Sequence, residues 1–447
     1  MFIDFLINIF NENKENDAIV WQDKVFTYQW LLVRIKYWKK RIRSEEIEKG
    51  ATAIVEADFS PNSVALSLAL IEHGCIFVPI TASVLSKRDE FIEIAEGEVL
   101  FQIDKNDKVK ISKLNYDSKH QIYQNLKRIG HPGLVLFSSG STGKSKASVH
   151  DITSILEKFK VRRHRLRTIT FLLYDHIGGF NTLLYTLSNA GLVVTLSERD
   201  PDSVLKAVES YKIELLPTSP TFVNLILLSE AYKRYDISSL MTLTYGTEPM
   251  PESTLKQFNN IFPNIRLLQT YGLSEVGILR SKSKASNSLW VKVGGEGFDT
   301  RVVDGMLEIK ANSAMLGYLN APSPFTKDGW FKTGDSVEVD GDFIKILGRK
   351  SEIINVGGEK VYPQEVENVI LGMDNVAEVT IFGEKNSIIG NIVSARVRLR
   401  KEEDKKKFIL RLKNYCSKKI QNYKIPIKVM IINKEQYSNR YKKVRNI

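Results

Sequence analysis

ATAIVEADFSPNSVALSLALIEHGCIFVPI, residues 51–80, decides the fold class. ATAIVEA reads as a strand, PNSVALSLALIEHG as a helix and CIFVPI as a second strand. Such continuous short apolar runs suit strands that are buried on both faces, as in parallel sheets. Working outward, EVLFQID (98–104), GLVLFSS (133–139) and RTITFLL (167–173) are further runs of this kind. LVVTL (192–196), IELLPTS (213–219) and LMTLTYG (240–246) continue the alternation with helices between them. The pattern predicts an α/β chain with parallel sheets. Before residue 50 it predicts a helix, a hairpin over AIVWQDKVFTY and a long amphipathic helix. From about residue 290, MLEIKA, SVEVDG and FIKILG alternate between DG turns, which reads as antiparallel sheet or a small distorted barrel. The last hundred residues read strand, helix, strand, strand, helix, strand: a small α+β domain. The expected boundary falls in GRKSE (348–352), giving domains 1–349 and 350–447.

A chain of 447 residues is long enough for two or more domains. Apolar residues at 43% and charged residues at 26% exclude disordered, collagenous and coiled-coil classes. Two cysteines, Cys75 and Cys416, exclude a disulfide framework or a structural zinc site and fit a cytoplasmic protein. The N-terminus has no basic segment of a secretory signal, and no uncharged apolar run is long enough to span a membrane. The net charge is +12, yet residues 396–447 alone carry 18 Lys and Arg against four Asp and Glu. Such a basic region suits a phosphorylated cofactor, an acidic carrier protein or nucleic acid, or is simply a solvated face. No nucleic-acid reader motif accompanies it. The basic stretch 158–167 reads as exposed helix and strand edge.

LVLFSSGSTGKSKASVHD (134–151) is the strongest local signal. An apolar strand runs into SSGSTGKSK, and a helix is expected after it. Gly140 and Gly143 permit tight backbone turns. Ser138, Ser139, Ser141 and Thr142 supply hydroxyls, Lys144 and Lys146 supply positive charge, and the backbone N–H groups can form an anion nest. A P-loop is excluded, because its first glycine would fall at Ser138.

SSGSTGKSKAS resembles the phosphate-loop signature of the adenylate-forming superfamily, which includes acyl- and aryl-CoA synthetases, peptide-synthetase adenylation domains and luciferases. Other segments follow in that family's order: YDHIGG (174–179), YGTEP (245–249), YGLSE (271–275), GMLEIKANSAMLGY (305–318), WFKTGD (330–335), GRKSEIINVGGEKVYPQEVE (348–367) and NRYKKVRN (439–446). The resemblance implies an AMP-forming acid–thiol ligase closest to the acyl-CoA synthetases. Such an enzyme adenylates a carboxylic acid with ATP and passes the acyl group to CoA or a phosphopantetheine carrier protein. An amino-acid or hydroxy-acid adenylation enzyme that loads a carrier is the alternative. A non-catalytic nucleotide-binding homologue and a nucleic-acid binder are the remaining competitors.

The same resemblance assigns roles. Residues 138–144 and Lys146 cradle the triphosphate, Glu275 beside Ser274 binds Mg²⁺, and Gly246, Thr247, Glu248, Tyr271 and Gly272 surround adenine. Asp335 and Arg349 hold the ribose or phosphate, and His176 lines the acid pocket. In that register Asp175 takes the position before the pocket residue, which favours a plain acid over an amino acid. Lys443 is the adenylation lysine, although Lys442 stands where glycine is common. Rotation of the C-terminal domain about Ser351 would then remove Lys443 and bring Gly357 and Gly358 to the acyl site.

Overall fold

The computed structural model describes residues 1–139, 145–386 and 390–445. Two seven-stranded sheets dominate its first half. One runs in the order Arg266–Gln269, Thr242–Tyr245, Leu215–Thr218, Arg167–Ile169, Leu192–Val194, Asp17–Trp21, Lys24–Thr27. All its pairings are parallel except the last, where the expected hairpin adds an antiparallel edge. In the other, Gly133–Ser139, Ile76–Ile80, Thr52–Glu56 and Val99–Ile103 pair in parallel, and antiparallel strands flank them on both sides.

The segment that opened the sequence reading explains how the sheets meet. Pro61–His73 is buried from Pro61 to Ile71. Ser60 caps its first turn by a reciprocal bond with Ser63, and Gly74 ends it at φ 92°. Its side chains share one core with Ala53, Val55 and Phe77 of one sheet and Ala18, Ile19 and Val193 of the other. Burying each such Leu or Ile contributes about 1.5–3 kcal/mol, so this helix needs no polar face.

An antiparallel six-stranded sheet follows, built from Ser281–Ser283, Val291–Val293, Phe298–Val303, Met306–Ala311, Phe331–Asp340 and Phe343–Arg349. A last sheet, with Val376–Asn386 and Gly390–Leu399 at its heart, packs with the helices Pro363–Leu371 and Lys405–Ser417 around a separate core from Ile354 to Val429. The fold is thus mixed α/β with parallel sheets, a barrel-like antiparallel sheet and a C-terminal α+β unit.

One expectation is corrected. No helix follows the phosphate loop. Ser145–Asp151 is a strand that pairs antiparallel with Gly133–Ser139, from Ser139↔Ser145 to Gly133↔Asp151. Ala147, Ser148, Val149 and His150 are all fully buried, so successive side chains are covered on both faces, as in an interior strand. The strands on either side of it therefore pair with each other, and no helix begins at Ser145. Gly140, Ser141, Thr142, Gly143 and Lys144 lie outside the described residues. The strand's other edge is covered by Gly317–Tyr318, whose partners are Val149 and Ser148. Asn320 adds bonds to both sides of this seam, accepting from the Ala147 N–H at 3.1 Å and donating to the Ser145 carbonyl at 2.8 Å. Among the described residues no helix is long and apolar enough to cross a membrane.

Candidate active site

Residues from four distant stretches of sequence meet where the C-terminal tail crosses the large sheets. His176 precedes the helix Ile177–Ser188 and caps it, its Nδ1 accepting the Gly178 N–H at 3.0 Å. A side chain at Gly179 would strike the Leu173 carbonyl oxygen at 2.1 Å, so the His-x-x-Gly spacing is a packing requirement. Because Nδ1 accepts, the proton of the neutral ring sits on Nε2. Burial, then Lys442 and Arg440, push the His176 pKa well below its usual value, so the ring stays neutral. Its Nε2 faces the Lys442 Nζ at 3.4 Å. Burial, and next the charge of Arg440, lower the Lys442 pKa to about 8. An imidazole N–H opposite an amine favours the uncharged amine, while an anion entering between them restores the charged lysine.

The two lysines thus part company. Sequence reasoning assigned the reacting charge to Lys443, but its Nζ is bonded to Glu367 Oε2 at 2.8 Å. Glu367 is fully buried and also binds Arg445, and these two cations hold its pKa down against the effect of burial. The backbone supplies a reason for the exchange. Tyr441 has φ 51°, the left-handed conformation that glycine adopts most readily. If the terminal segment has a glycine-like position followed by a lysine, that position is 441 and the lysine is Lys442. No single-letter pattern reveals this, because a tyrosine occupies the place.

The acidic candidates gather along the edge of the barrel-like sheet. Glu275 Oε1 accepts the Tyr318 hydroxyl at 2.7 Å, and its carbonyl accepts the Met315 N–H at 2.7 Å. Lys146 lies 5.3 Å from the centre of the Tyr318 ring, which links the phosphate hairpin to Glu275. Lys87, overlooked in the sequence, reaches the same hairpin, 3.2 Å from Ser145 Oγ. Asp335 is buried; its Oδ2 accepts the Tyr271 hydroxyl at 2.5 Å, and its Oδ1 lies 3.3 Å from Arg349 Nε. Burial raises the Asp335 pKa and Arg349 opposes the rise. Tyr271 is part of the barrel core, only 6% exposed. Gly246 passes so close to Thr270 that a Cβ would lie 2.7 Å from its hydroxyl, and the next residue, Thr247, is left-handed at φ 73°. Glu248 Oε1 accepts the Thr221 N–H at 2.8 Å, and its Oε2 accepts the Lys443 N–H at 3.1 Å. Gly272 pairs with Ile278, and Ser274 stands beside Glu275. Ser138 pairs with Lys146 across the hairpin, and Ser139 with Ser145. Gly357 and Gly358, both left-handed, make the turn between Ile354–Val356 and Glu359–Val361. Among the described residues they form no hydrogen bond or ion pair with this cluster.

The donor set suits a magnesium nucleotide. No group of three or more His, Cys, Asp or Glu side chains among the described residues could cage a metal. Mg²⁺ bound mainly by phosphate oxygens and water needs only one carboxylate, and a carboxylate with one oxygen on a tyrosine keeps lone pairs to give.

Two family models match the chain: AMP-binding enzyme over residues 8–304 and AMP-binding enzyme C-terminal domain over 365–440. An indoleacetate–CoA ligase of Aromatoleum aromaticum is 29% identical over 60% of this chain and 57% of its own. A long-chain-fatty-acid–CoA ligase of Mycobacterium tuberculosis is 26% identical over 66% of this chain and 63% of its own. The chain therefore matches less than two thirds of the length of either relative. Among solved structures, an anthranilate CoA ligase in complex with anthranoyl-AMP superposes with a TM-score of 0.82 at 18% identity, covering 99% of this chain and 95% of that one.

Proposed function

This chain belongs to the AMP-binding enzyme family, and from that premise we propose that it is an AMP-forming acid–thiol ligase acting on an acyl or aryl carboxylic acid. The observation that carries the proposal is the Lys442 side-chain nitrogen, held by the tail 3.4 Å from His176. In the first step a carboxylate oxygen attacks the α-phosphorus of ATP, the bond to the β-phosphate oxygen breaks, and pyrophosphate leaves with the electron pair. Lys442 offers its charge to the oxygens where negative charge grows, and His176 offers an N–H without competing for the proton. Asp335 accepts from the ribose hydroxyls, with Tyr271 and Arg349 fixing its two oxygens. Lys146 and Lys87 attract the phosphates. Mg²⁺, when bound through Glu275, neutralises phosphate charge. In the second step a thiol attacks the acyl carbon and AMP leaves.

We further propose that residues 1–349 form the nucleotide seat and 350–447 a lid that turns about Ser351 between steps. CoA is the thiol that the relatives' names favour. A phosphopantetheine carrier is the other acceptor compatible with the basic lid. Free, buried Cys75 and Cys416 support a reducing compartment such as the cytoplasm. A plain acid is favoured over an amino acid because Arg440 lies 2.6 Å from Asp175 Oδ2 and already neutralises the carboxylate nearest His176.

The test is acid-dependent pyrophosphate release across a panel of acids, with CoA and with a carrier protein. Lys442→Ala lowers adenylate formation by about 100-fold or more, while Lys443→Ala, whose partner is structural, has the smaller effect on that step. The opposite order would return the role to Lys443. Release only with α-amino acids would overturn the choice of substrate.

A further inference from the structure

We propose that Arg440 and Tyr441 are positioning residues, an ion pair and an aromatic anchor on the large domain that together hold Lys442 at His176. The ring contacts are ones that a glycine at 441 could not make. Arg440 reaches Asp175 Oδ2 at 2.6 Å, and Thr81 donates to the same oxygen at 3.0 Å. Asp175 is only 6% exposed and Arg440 24%, so the pair is partly shielded from water and salt. Tyr441 lays its ring 5.4 Å from Phe171 and 5.1 Å from Phe222, with Tyr437 stacked on it at 5.5 Å. Its carbonyl accepts the Ser219 hydroxyl at 2.7 Å. A left-handed tyrosine is strained and persists only where its surroundings hold it; here the ring is gripped on the large domain. On the other side of Lys442, the Lys443 N–H is held by Glu248 at 3.1 Å.

Lys442 is thus bracketed. Its long side chain would otherwise sample many rotamers, and fixing its backbone at both neighbours removes much of that search. Arg440, Arg349, Glu248, Asp175 and His176 are the ionisable groups that face it. Arg440, Tyr441 and the backbone of Lys443 reach across to the large domain, so these contacts must break before the tail can leave. The same two residues that favour the first half-reaction therefore restrain the second. This inference rests on the role given above to Lys442.

The experiment uses the full chain with Arg440→Ala, Arg440→Lys, Tyr441→Gly, Tyr441→Phe and the exchange Asp175→Arg with Arg440→Asp. Two rates are read: acid-dependent ATP–pyrophosphate exchange, and thioester formation from supplied acyl-adenylate. A third reading needs no chemistry. Spin labels at Met241→Cys and Leu410→Cys, both on exposed positions of 51% and 63%, report the distance between the two bodies. Arg440→Ala and Tyr441→Gly are expected to slow exchange roughly tenfold, to leave thioester formation unchanged or faster, and to add a longer label distance. Arg440→Lys and Tyr441→Phe retain most of the exchange rate, and the charge exchange recovers part of it. Equal loss of both rates, or an unchanged label distance in Arg440→Ala and Tyr441→Gly, overturns the proposal. If the unmodified chain exchanges pyrophosphate with no acid, the ligase reading fails, while the label distances still decide whether residues 440 and 441 hold the tail.

Discussion

At the scale of single residues, Tyr441 sets the course of the tail past His176: its backbone is left-handed at φ 51°, and the Nζ of the next residue, Lys442, lies 3.4 Å from the ring. Asp335 ties Tyr271 to Arg349, Glu275 holds Tyr318, and His176 faces Lys442. Composition does not separate Lys442 from Lys443; the proposal of Lys442 rests on the φ of Tyr441, which letters do not encode. The left-handed conformation costs a non-glycine residue about 1 kcal/mol, and the ring contacts that offset it come from residues more than 200 positions away. Tyr318 was legible only as part of a motif; its bond to Glu275 needed the fold. His150 is a further residue whose role depends on burial. It is fully buried facing the backbone of Ser274 and Ser313, and burial lowers its pKa to about 4. The unfolded chain then takes up a proton near pH 6.5 that the folded chain refuses until about pH 4, so stability is lost as the pH falls through that window. Urea unfolding at pH 7 and pH 5 should differ by about 2 kcal/mol from this group, and His150→Gln should remove that part of the slope. An equal slope in the variant would mean that other groups dominate.

At the scale of elements, the apolar runs match the parallel strands of the two large sheets except Arg266–Gln269, because a strand buried on both faces leaves an unbroken apolar signature. The segment after the phosphate loop was misread as helix. A seven-residue piece of small and polar residues has no apolar run, and its strand character shows only in its pairing with Gly133–Ser139. The helix Pro363–Leu371 illustrates the opposite case, a charged residue that looks exposed and is not. Glu367 lies on its buried face and accepts both Lys443 and Arg445. Removing the carboxylate charge leaves two cations facing a neutral group in the interior. Glu367→Gln should therefore destabilise the C-terminal unit by about 3 kcal/mol and loosen the tail, detected as a lower thermal midpoint and faster cleavage after Lys442 or Lys443 by trypsin. Wild-type protection of the tail in that variant would show that Tyr441 and Arg440 suffice without it.

At the scale of the whole molecule, the uneven charge was plain in the sequence, but its purpose was not. Residues 396–447 hold 18 basic and four acidic residues, and the exposed part includes Lys405, Lys406, Lys407, Lys413, Lys418 and Lys419. Four of the tail cations are removed from this surface: Arg440 binds Asp175, Lys443 and Arg445 share Glu367, and Lys442 faces His176. Arg398, Arg411, Lys424 and Lys428 are also paired with carboxylates, and on the proposed ligase reading the exposed lysines favour a polyanionic thiol. If CoA is the acceptor, its KM should rise several-fold between about 50 and 300 mM salt, where the screening length falls below 10 Å, while the KM of an uncharged-tail acid barely changes. Equal salt dependence for both substrates would remove the basic surface from the account.

The short strand Gly317–Tyr318 makes two distant parts of the chain into one mechanical piece. It lies against the exit strand of the phosphate hairpin, and its tyrosine ends on the Glu275 carboxylate. A ligand that grips the hairpin and an ion that sits on Glu275 then act on a shared equilibrium. Thermodynamic reciprocity requires that whatever factor one changes the other's affinity by is returned in full, so the joinery of this sheet offers a route by which nucleotide and cation sense each other.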